Sequence, residues 1–246
     1  MPPAEPASER RAAPSSGPEL ASKHCYGVTV TRRPLPLTDD LHDYVLAHSS
    51  PEDAVLARLA EETARDHPGA AVMQIGADQG TLMTLLASAV APRLAVEVGT
   101  FTGYSSVCLA RGLAPGGRLI CCDISEEWTS VARRYWQDAG LADRIELRLG
   151  PALDTLRALP HGPDIDLSFI DAHKPEYVGY WEEIVPRTRP GGLILADNTL
   201  WDGEVVRPES ETARLVAAFN DHVAADDRVE QVMLPVGDGL TLARRK

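Results

Sequence analysis

Residues 95–106 have the sequence AVEVGTFTGYSS, which joins an apolar run to two closely spaced glycines and two serines. It continues the short, apolar and β-branched run Leu94–Val98, as expected of a parallel strand that is covered on both faces. Gly99 and Gly103 allow a tight backbone turn and the close approach of a ligand. A helix that begins near Ser105 would expose free N–H groups there. The segment therefore predicts a strand, a turn and a helix, with a cofactor at the carboxyl end of the strand.

The rest of the chain repeats this alternation of short apolar runs and helical segments. Seven strands are predicted, at Leu94–Val98, Arg118–Cys122, Ile145–Leu149, Ile165–Ile170, Leu193–Ala196, Val229–Leu234 and Gly239–Arg244. Helices are predicted after the first five, at 105–113, 126–139, 152–159, 175–187 and 211–225. Because strands separated by helices pair in parallel with right-handed crossovers, we predict an α/β fold with a doubly wound, mostly parallel seven-stranded sheet. The last two strands are predicted to close the sheet as an antiparallel pair.

The N-terminal part differs in composition from the alternating part. Residues 1–20 are rich in Pro, Ala, Ser and Glu, which predicts a disordered tail. We expect a single domain over 21–246, with extra helices in 38–92 and the sheet in 93–246. Three extra helices are predicted, at 38–48, 51–66 and 78–90. The second is predicted to have Ser50 as its N-cap, Pro51 as its first residue and Asp66 as its last.

The composition excludes several classes of partner. The chain carries 36 acidic and 24 basic residues, for a formal net charge of −12. This balance argues against nucleic acid or an anionic membrane, because both prefer a basic protein face. The sequence contains neither a recognisable transmembrane span nor a signal peptide. No C-x-x-C pair occurs, which predicts reduced thiols in a cytoplasmic protein, at Cys25, Cys108, Cys121 and Cys122.

Two acidic residues lie at the ends of the first two predicted strands. Glu97 is inside an apolar run, so it needs a partner when buried, either a structural salt bridge or a cationic ligand. Asp123 follows the second strand, where a carboxylate can accept both ribose hydroxyls of a nucleoside. The alternative for Asp123 is an N-cap of the next helix, although Ser125 competes for that role. The glycines at 99 and 103 do not match the G-x-G-x-x-G dinucleotide pattern, and by themselves they fit a ligand and a plain turn equally well.

Three oxygen-bearing side chains follow the fourth and fifth predicted strands, namely Asp171, Asp197 and Asn198. Because the carboxyl ends of parallel strands share one edge of a sheet, we expect these side chains to meet. Three oxygen ligands suit a hard cation such as Mg²⁺, Mn²⁺ or Ca²⁺. The alternative is helix capping and turn formation, which Asp and Asn also favour.

Lys174 is an uncommon choice, because only three of the 24 basic residues in the chain are lysines. Lysine can lose its proton when its pKa is lowered, whereas arginine effectively cannot. A lysine three residues after Asp171 therefore favours a general base. His173 is a rival base, or else a surface histidine.

Aromatic residues follow both polar segments. Trp201 comes soon after Asn198 and is predicted to form a wall of a substrate pocket. Tyr177, Tyr180 and Trp181 are instead predicted to pack the helix that follows Lys174.

These motifs, in this order, resemble the class I S-adenosylmethionine-dependent O-methyltransferases, within the cation-dependent family like caffeoyl-CoA O-methyltransferase. The resemblance covers about residues 38–245. It rests on MQI at 73–75 with QG at 79–80, EVGTFTGYS at 97–105, FIDAHK at 169–174, and GG at 191–192 followed by DN at 197–198, Trp201 and Gly203. The resemblance implies a Rossmann-like methyltransferase fold, a homodimer and the methylation of a hydroxyl group.

The resemblance also implies a role for each site residue. S-adenosylmethionine would be held by Met73, Glu97, Gly99, Thr100, Ser105, Asp123, Ala152 and Asp171, with Asp123 on the ribose. A divalent cation, Mg²⁺ or else Mn²⁺ or Ca²⁺, would be bound by Asp171, Asp197 and Asn198. Lys174 would be the general base, and Asp171 would serve both the cofactor amine and the cation.

One position departs from the family pattern, which often has Asp-Ala-Asp-Lys where this chain has Asp171-Ala172-His173-Lys174. Since the second acid of that pattern can contact the substrate, His173 bears on which substrate is used rather than on the reaction. The N-terminal segment also lacks a clear acyl-CoA-binding signature. We therefore predict a small catechol, a vicinal diphenol, as the methyl acceptor, with a caffeoyl-CoA-type thioester as the alternative.

Two other classes of function are open to a chain with this sheet. A nicotinamide-dependent dehydrogenase could use it, but the G-x-G-x-x-G motif is missing and the Asp197-Asn198 pair counts against it. A binding or scaffold protein could keep the fold alone, but it would not need three metal ligands and a lysine.

Overall fold

The computed structural model describes residues 35–246, so the predicted tail at 1–20 and Cys25 lie outside it. The strands are β1 (Leu94–Val98), β2 (Arg118–Asp123), β3 (Ile145–Leu149), β4 (Ile165–Ile170), β5 (Thr188–Ala196), β6 (Val229–Leu234) and β7 (Leu240–Arg245). The α-helices are α1 (Asp39–Ala47), α2 (Ala54–Asp66), α3 (Ala77–Val90), α4 (Tyr104–Arg111), α5 (Glu126–Asp138), α6 (Ala152–Ala158), α7 (Tyr177–Ile184) and α8 (Glu211–Ala224). Short 3₁₀ helices occupy Ala71–Met73, Ala142–Arg144, Lys174–Glu176, Val185–Arg187 and Trp201–Val206.

The strands form one sheet in the order β3-β2-β1-β4-β5-β7-β6. β1 pairs in parallel with β2 and β4, and β4 pairs in parallel with β5, whereas β7 is antiparallel to both of its neighbours. The predicted α/β fold, with a mostly parallel seven-stranded sheet and an antiparallel C-terminal strand, is confirmed. The strand order reverses between β1 and β4, and the carboxyl ends of these two strands are therefore the expected place for a ligand.

Backbone hydrogen bonds continue the sheet one residue beyond the strand ends. The amide of Asp171 donates to the carbonyl of Val98 at 2.8 Å, and the amide of Asp197 donates to that of Ile170 at 3.0 Å. The first residues after β4 and β5 are thus held in register on the same edge of the sheet as the end of β1. Residues that are far apart in the sequence meet there because three parallel strands end side by side.

The strands bury alternate side chains in two apolar layers. Ala95 faces a layer formed with α2 to α5, whereas Val96 and Val98 face a layer formed with α6 to α8. Each fully buried aliphatic side chain of this kind stabilises the fold by about 1.5–3 kcal/mol. Cys108, Cys121 and Cys122 are free thiols buried in these layers, and burial raises the pKa of Cys108 to about 12. No helix within residues 35–246 is long and apolar enough to cross a membrane.

β5 is longer than predicted and begins at Thr188 rather than Leu193. The segment Pro190-Gly191-Gly192, which precedes the predicted strand, lies inside β5. The pairing with β4 changes register there, between Ile165 opposite Thr188 and Leu167 opposite Leu193. An irregularity of this kind accommodates extra residues and a proline within a paired strand.

Two predicted helices also need correction, while the other bounds agree within two residues. Ser50 does not cap α2, because the carboxylate of Asp53 accepts the backbone N–H groups of Val55 and Leu56 and the helix begins only at Ala54. The single helix predicted at 175–187 is a 3₁₀ turn, then α7, then a second 3₁₀ turn that contains Pro186. A proline lacks the N–H that a continuing α-helix requires and its ring clashes with the preceding turn.

Candidate active site at the carboxyl edge of the sheet

A cavity of about 1280 Å³ opens at the carboxyl edge of the sheet, which is large enough for a nucleoside cofactor and a second small molecule. Its walls come from the segments after all five parallel strands, β1 to β5, together with the start of α3 and the β6–β7 turn. The predicted site residues that line it are Met73, Gly99, Thr100, Ser105, Asp123, Ala152, Asp171, His173, Lys174, Asp197, Asn198 and Trp201. Glu97 does not line the cavity and is fully buried in the sheet.

Gly99 is required by the way in which β1 ends beside β4. Its φ is +91°, and a Cβ atom at this position would lie only 1.9 Å from the carbonyl oxygen of Asp171. No other residue fits a backbone approach this close. The glycine turn thus brings the loop after β1 into direct contact with the first residue after β4.

Glu97 is held inside the sheet by a neutral partner. Ser106 donates its hydroxyl to Oε2 at 2.5 Å, while Oε1 has no hydrogen-bond partner among the described residues. Burial disfavours the charged form and raises the pKa of Glu97 to about 7. Within residues 35–246 no ion pair to Glu97 is present, so the salt bridge considered for it is wrong for this part of the chain. Its predicted contact with a cationic ligand stays a prediction.

Asp123 links the glycine turn to the end of β2. Its Oδ2 accepts the backbone N–H groups of Thr100 and Phe101, both at 2.9 Å, and its Oδ1 accepts that of Ser125 at 2.8 Å. Ser125, not Asp123, is the N-cap of α5, and its hydroxyl accepts the amide of Trp128. The carboxylate thus shapes the turn and also faces the cavity, and its contact with a ribose stays a prediction.

The amine of Lys174 lies among three oxygen atoms. Nζ is 3.1 Å from Oδ1 of Asp171, 2.6 Å from Oδ1 of Asn198 and 2.5 Å from the hydroxyl of Tyr177. These three contacts match the three N–H donors of an ammonium group. Lys174 is therefore at the centre of the residues that were predicted to bind a cation.

Tyr177 has a polar role that the sequence did not reveal. It was predicted only to pack its helix, and its ring does pack against Phe219 in the core. Burial raises the pKa of the Tyr177 phenol well above its usual value, so the group keeps its proton. That proton is donated to the backbone carbonyl of Asp197 at 3.3 Å, which leaves the oxygen free to accept from Lys174. The three-residue spacing between Lys174 and Tyr177 is the one local signal that could have indicated this contact.

The carboxylate of Asp197 is almost completely buried, with 3 % of the residue exposed. Its Oδ1 accepts the backbone N–H of Asn198 at 2.7 Å, and its Oδ2 accepts the side-chain amide of Gln79 at 2.8 Å. Burial, together with the nearby negative charge of Asp171, raises the pKa of Asp197 above its ordinary value. A second positive charge beside these two acids would oppose that effect.

The donor set fits a hard cation in its chemistry. Asp171, Asp197 and Asn198 offer carboxylate and amide oxygens, and Lys174 already places a positive charge against two of the three side chains. Within residues 35–246 no group of three or more His, Cys, Asp or Glu side chains is arranged to hold a metal, in keeping with a set of only two acids and an asparagine. Since Nζ of Lys174 already contacts Oδ1 of Asp171 and Oδ1 of Asn198, a cation bound to these oxygens would compete with the amine for them.

The segment after β5 adopts a strained backbone beside the cavity. Asn198, Trp201 and Asp202 have φ values of +55°, +46° and +50°, in the left-handed region that bulky residues avoid. The segment is held by the β6–β7 turn, because the amides of Thr199 and Leu200 donate to the carbonyls of residues 239 and 238. The indole of Trp201 faces the cavity with its ring centre 5.9 Å from Nζ of Lys174, which agrees with the predicted pocket wall. His173 is exposed at the mouth of the same cavity.

Comparison with known proteins identifies the family of this chain. The family model described as O-methyltransferase matches residues 46–246. Caffeoyl-CoA O-methyltransferase 2 of Zea mays is 38 % identical over 231 residues, a match that covers 88 % of this chain and 86 % of the maize protein. The protein from Eucalyptus gunnii named caffeoyl-CoA O-methyltransferase is 37 % identical over 229 residues, covering 88 % of this chain and 91 % of the relative.

Solved structures agree with this assignment. A crystal structure of an O-methyltransferase from Bacillus cereus in complex with SAH has a TM-score of 0.76 and 33 % identity, and the match covers 84 % of this chain and 97 % of that one. TomG from Streptomyces achromogenes, an O-methyltransferase involved in tomaymycin synthesis and solved with SAM, has a TM-score of 0.76 and 30 % identity, covering 84 % and 96 %. These matches displace the dehydrogenase and scaffold alternatives. The chain therefore belongs to the O-methyltransferase family and is a class I S-adenosylmethionine-dependent O-methyltransferase of the caffeoyl-CoA O-methyltransferase type.

Proposed function

We propose that this enzyme transfers a methyl group from S-adenosylmethionine to one hydroxyl of a vicinal diphenol, in a reaction that depends on a divalent cation. The observation that carries the proposal is the convergence of Asp171, Lys174, Asp197 and Asn198 on the cavity that the glycine turn also lines. A methyl donor on the turn side and an acceptor on the lysine side would share this cavity. Holding the two reactants side by side supplies a large part of the rate in reactions of this kind.

We assign the methyl donor, S-adenosylmethionine, to the side of the cavity at the carboxyl ends of β1 and β2. Asp123 would accept a ribose hydroxyl at Oδ1, which keeps one lone pair after the three backbone contacts of the carboxylate, and Gly99 gives the cofactor close access to the backbone. The other residues assigned to the cofactor are Met73, Glu97, Thr100, Ser105, Ala152 and Asp171. When bound, S-adenosylmethionine supplies the methyl group. The SAH and SAM found in the Bacillus cereus and Streptomyces achromogenes structures support this assignment.

Asp171, Asp197 and Asn198 would hold the cation, which we take to be Mg²⁺, with Mn²⁺ or Ca²⁺ as alternatives. When bound, the cation supplies positive charge that favours the ionised form of a nearby acceptor hydroxyl. The two carboxylates and the amide oxygen would hold the cation at the ends of β4 and β5. Asn198 is fixed there by its own backbone, whose left-handed conformation turns the chain after β5.

Lys174 would take the proton of the acceptor hydroxyl at Nζ. As a base, Nζ must present a lone pair, so at least one of its three present contacts must break first. The contact with Asn198 is the natural one to break, because the amide oxygen would turn to the cation. The contact with Tyr177 can persist and keep the amine in place.

The acceptor would lie near Trp201 and His173. The shared feature of the candidate acceptors is a pair of neighbouring hydroxyls on an aromatic ring. A small catechol is our first choice, because His173 replaces an acid that the family often has at this position. A caffeoyl-CoA-type thioester is the alternative, and the names of the maize and Eucalyptus relatives favour it.

A methyl-transfer assay tests the proposal directly. Purified enzyme is stripped with EDTA, supplied with S-adenosylmethionine and offered catechol, caffeic acid, caffeoyl-CoA and a monophenol, each with and without Mg²⁺. We expect product from a diphenol only when the cation is restored, and the product's regiochemistry identifies the hydroxyl used. Full activity after exhaustive metal removal would refute the cation's role, and preference for caffeoyl-CoA would replace the small catechol by the thioester. Light scattering on the same sample tests the homodimer that we also propose.

A further inference from the structure

Gln79 contacts the Asp197 carboxylate from a different part of the chain. It lies in the first turn of α3, is only 2 % exposed, and donates Nε2 to Oδ2 of Asp197 at 2.8 Å across 118 residues of sequence. The other oxygen, Oδ1, accepts the backbone N–H of Asn198 at 2.7 Å. The two donors come from opposite ends of the carboxylate, so together they fix the plane of the group.

The side-chain amide of Gln79 suits this contact with Asp197 because it is a neutral hydrogen-bond donor. A lysine or arginine at position 79 would add a positive charge that competes with a cation for Asp197. A glutamate at this position would repel the Asp197 carboxylate. An aliphatic side chain would leave Oδ2 buried without its donor, which costs free energy. A neutral amide fixes the oxygen, and each oxygen that accepts one hydrogen bond still has a second lone pair for a cation.

Gly237, in the β6–β7 turn, leaves room for the amide of Gln79. A Cβ atom at Gly237 would lie 2.5 Å from Oε1 of Gln79, and the φ of this glycine is +53°. The turn therefore closes against the far end of the glutamine without a side chain between them. Three separate segments, at α3, at the end of β5 and at the β6–β7 turn, meet at this one amide.

We propose that Gln79 is a positioning residue that orients Asp197 for the divalent cation, and that Gly237 keeps the space its amide needs. This inference rests on the proposed function, because it assumes that Asp197 binds the cation. Residues that orient a metal ligand through one hydrogen bond commonly change metal affinity by about 10- to 100-fold when they are replaced. Gln79 acts through Asp197 and touches no reacting atom in this scheme.

The test measures Mn²⁺ binding to the full-length protein by electron paramagnetic resonance of free Mn²⁺, apart from any turnover. Gln79→Met keeps the length of the side chain and removes the donor. We expect the Mn²⁺ dissociation constant to rise about 10-fold or more. The affinity for S-adenosylmethionine, measured by calorimetry without metal, should stay close to wild type, while the Tm should fall by about 2–4 °C for each kcal/mol lost with the buried hydrogen bond.

A second variant perturbs the same amide from the other side. Gly237→Ala places a methyl group against Oε1 of Gln79 and should weaken Mn²⁺ binding as well. Gly140→Ala is the matched control, because Gly140 also has a left-handed φ, of +67°, but no atom of the described part of the chain lies within 4 Å of its Cβ position. It carries the same backbone strain and should leave Mn²⁺ affinity unchanged.

The outcomes separate this inference from the proposed function. If the wild-type protein binds no Mn²⁺, the cation site itself fails, and the role of Gln79 fails with it. If the wild type binds Mn²⁺ and Gln79→Met binds it equally well, the proposed function stands and the positioning role is overturned. If Gln79→Met weakens S-adenosylmethionine as much as Mn²⁺, the residue contacts the cofactor or supports the cavity in general, which also overturns it.

Discussion

The amine of Lys174 donates a hydrogen bond of 2.6 Å to the side-chain oxygen of Asn198, a residue proposed to bind the cation. The proposed base and a proposed metal ligand are thus joined to each other. Since Asn198 Oδ1 would turn to a cation once one binds, cation binding would remove one of the three acceptors of Nζ. The loss of that acceptor would leave one direction around Nζ open, in which the lone pair of a base can face the substrate hydroxyl. Through this one contact, cation binding would affect the ability of Lys174 to act as the base.

Lys174→Arg tests the lysine as a base. Arginine keeps the positive charge and can still reach acid side chains, but it does not give up its proton. We expect kcat to fall by about 10²–10⁴ while S-adenosylmethionine still binds. Lys246→Arg is the control, because Lys246 is an exposed lysine whose amine donates to the backbone carbonyl of Asp227, away from the cavity. A Lys174→Arg enzyme with wild-type kcat would show that another group takes the proton.

Tyr177→Phe tests whether the phenol holds the amine of Lys174 in place. The substitution removes only the oxygen at 2.5 Å from Nζ and keeps the ring that packs against Phe219. We expect kcat to fall about tenfold, equivalent to about 1.4 kcal/mol, with little change in the KM for S-adenosylmethionine. The comparison is Tyr135→Phe, which removes a buried hydroxyl bonded to Glu62, away from the cavity. Equal losses of kcat in the two variants would show that Tyr177 only packs the core and does not position Lys174.

The sequence predicted the parts of the site that lie at strand ends. Asp171 and Asp197 each follow an apolar run with a clear end, and parallel pairing then forces their backbones together. The hydrogen bonds from their amides to Val98 and Ile170 are the direct consequence of that pairing. Local patterning is enough for such residues because the sheet carries them to the same edge.

Other parts of the site could not be predicted because they depend on contacts without a local pattern. Gln79 reaches Asp197 across 118 residues, and no periodicity in α3 distinguishes it from a buried helix residue. The β6–β7 turn was predicted only as a connection, yet Gly237 and Asp238 line the cavity. The start of β5 was misplaced for a similar reason, since a Pro-Gly-Gly segment indicates a turn unless a neighbouring strand accommodates it as an irregularity.

Gly99→Ala tests the contact between the end of β1 and the end of β4. A methyl group there would overlap the carbonyl oxygen of Asp171, at 1.9 Å, in a backbone with a φ of +91°. We expect the free energy of unfolding to fall by about 2–5 kcal/mol, from overpacking and from left-handed strain together. Gly116→Ala, with a φ of +74° and no neighbour within 4 Å, carries the strain alone and should lose about 1–2 kcal/mol. Chemical denaturation of both variants measures the difference, and equal losses would show that the strands can separate at no cost.

Glu97 should make the stability of the enzyme depend on pH. Its pKa is about 7 in the folded protein against an ordinary value of 4.5, so between these values the unfolded chain loses a proton that the folded chain keeps. Since the unfolded state then binds fewer protons, this residue's contribution to stability falls as the pH rises from 4.5 to about 7 and is constant above that. The full difference corresponds to roughly 3 kcal/mol, reached above pH 7.

Glu97→Gln keeps the shape and removes the ionisable group. We expect the variant to gain up to roughly 3 kcal/mol in the free energy of unfolding at pH 8 and little at pH 4, measured by urea denaturation across this range. Glu127→Gln, at an exposed position in the first turn of α5, is the control; it should gain no stability at either pH and should lose at most about 1 kcal/mol at pH 8, from the missing charge at the helix N-terminus. If Glu97 also faces the cationic cofactor, the stabilised variant should bind S-adenosylmethionine more weakly at pH 8, because the ionised carboxylate is lost. If the variant is stabilised and binds the cofactor as well as the wild type does, Glu97 does not contact S-adenosylmethionine. The residue would then be a buried acid whose ionisation only lowers the stability of the fold.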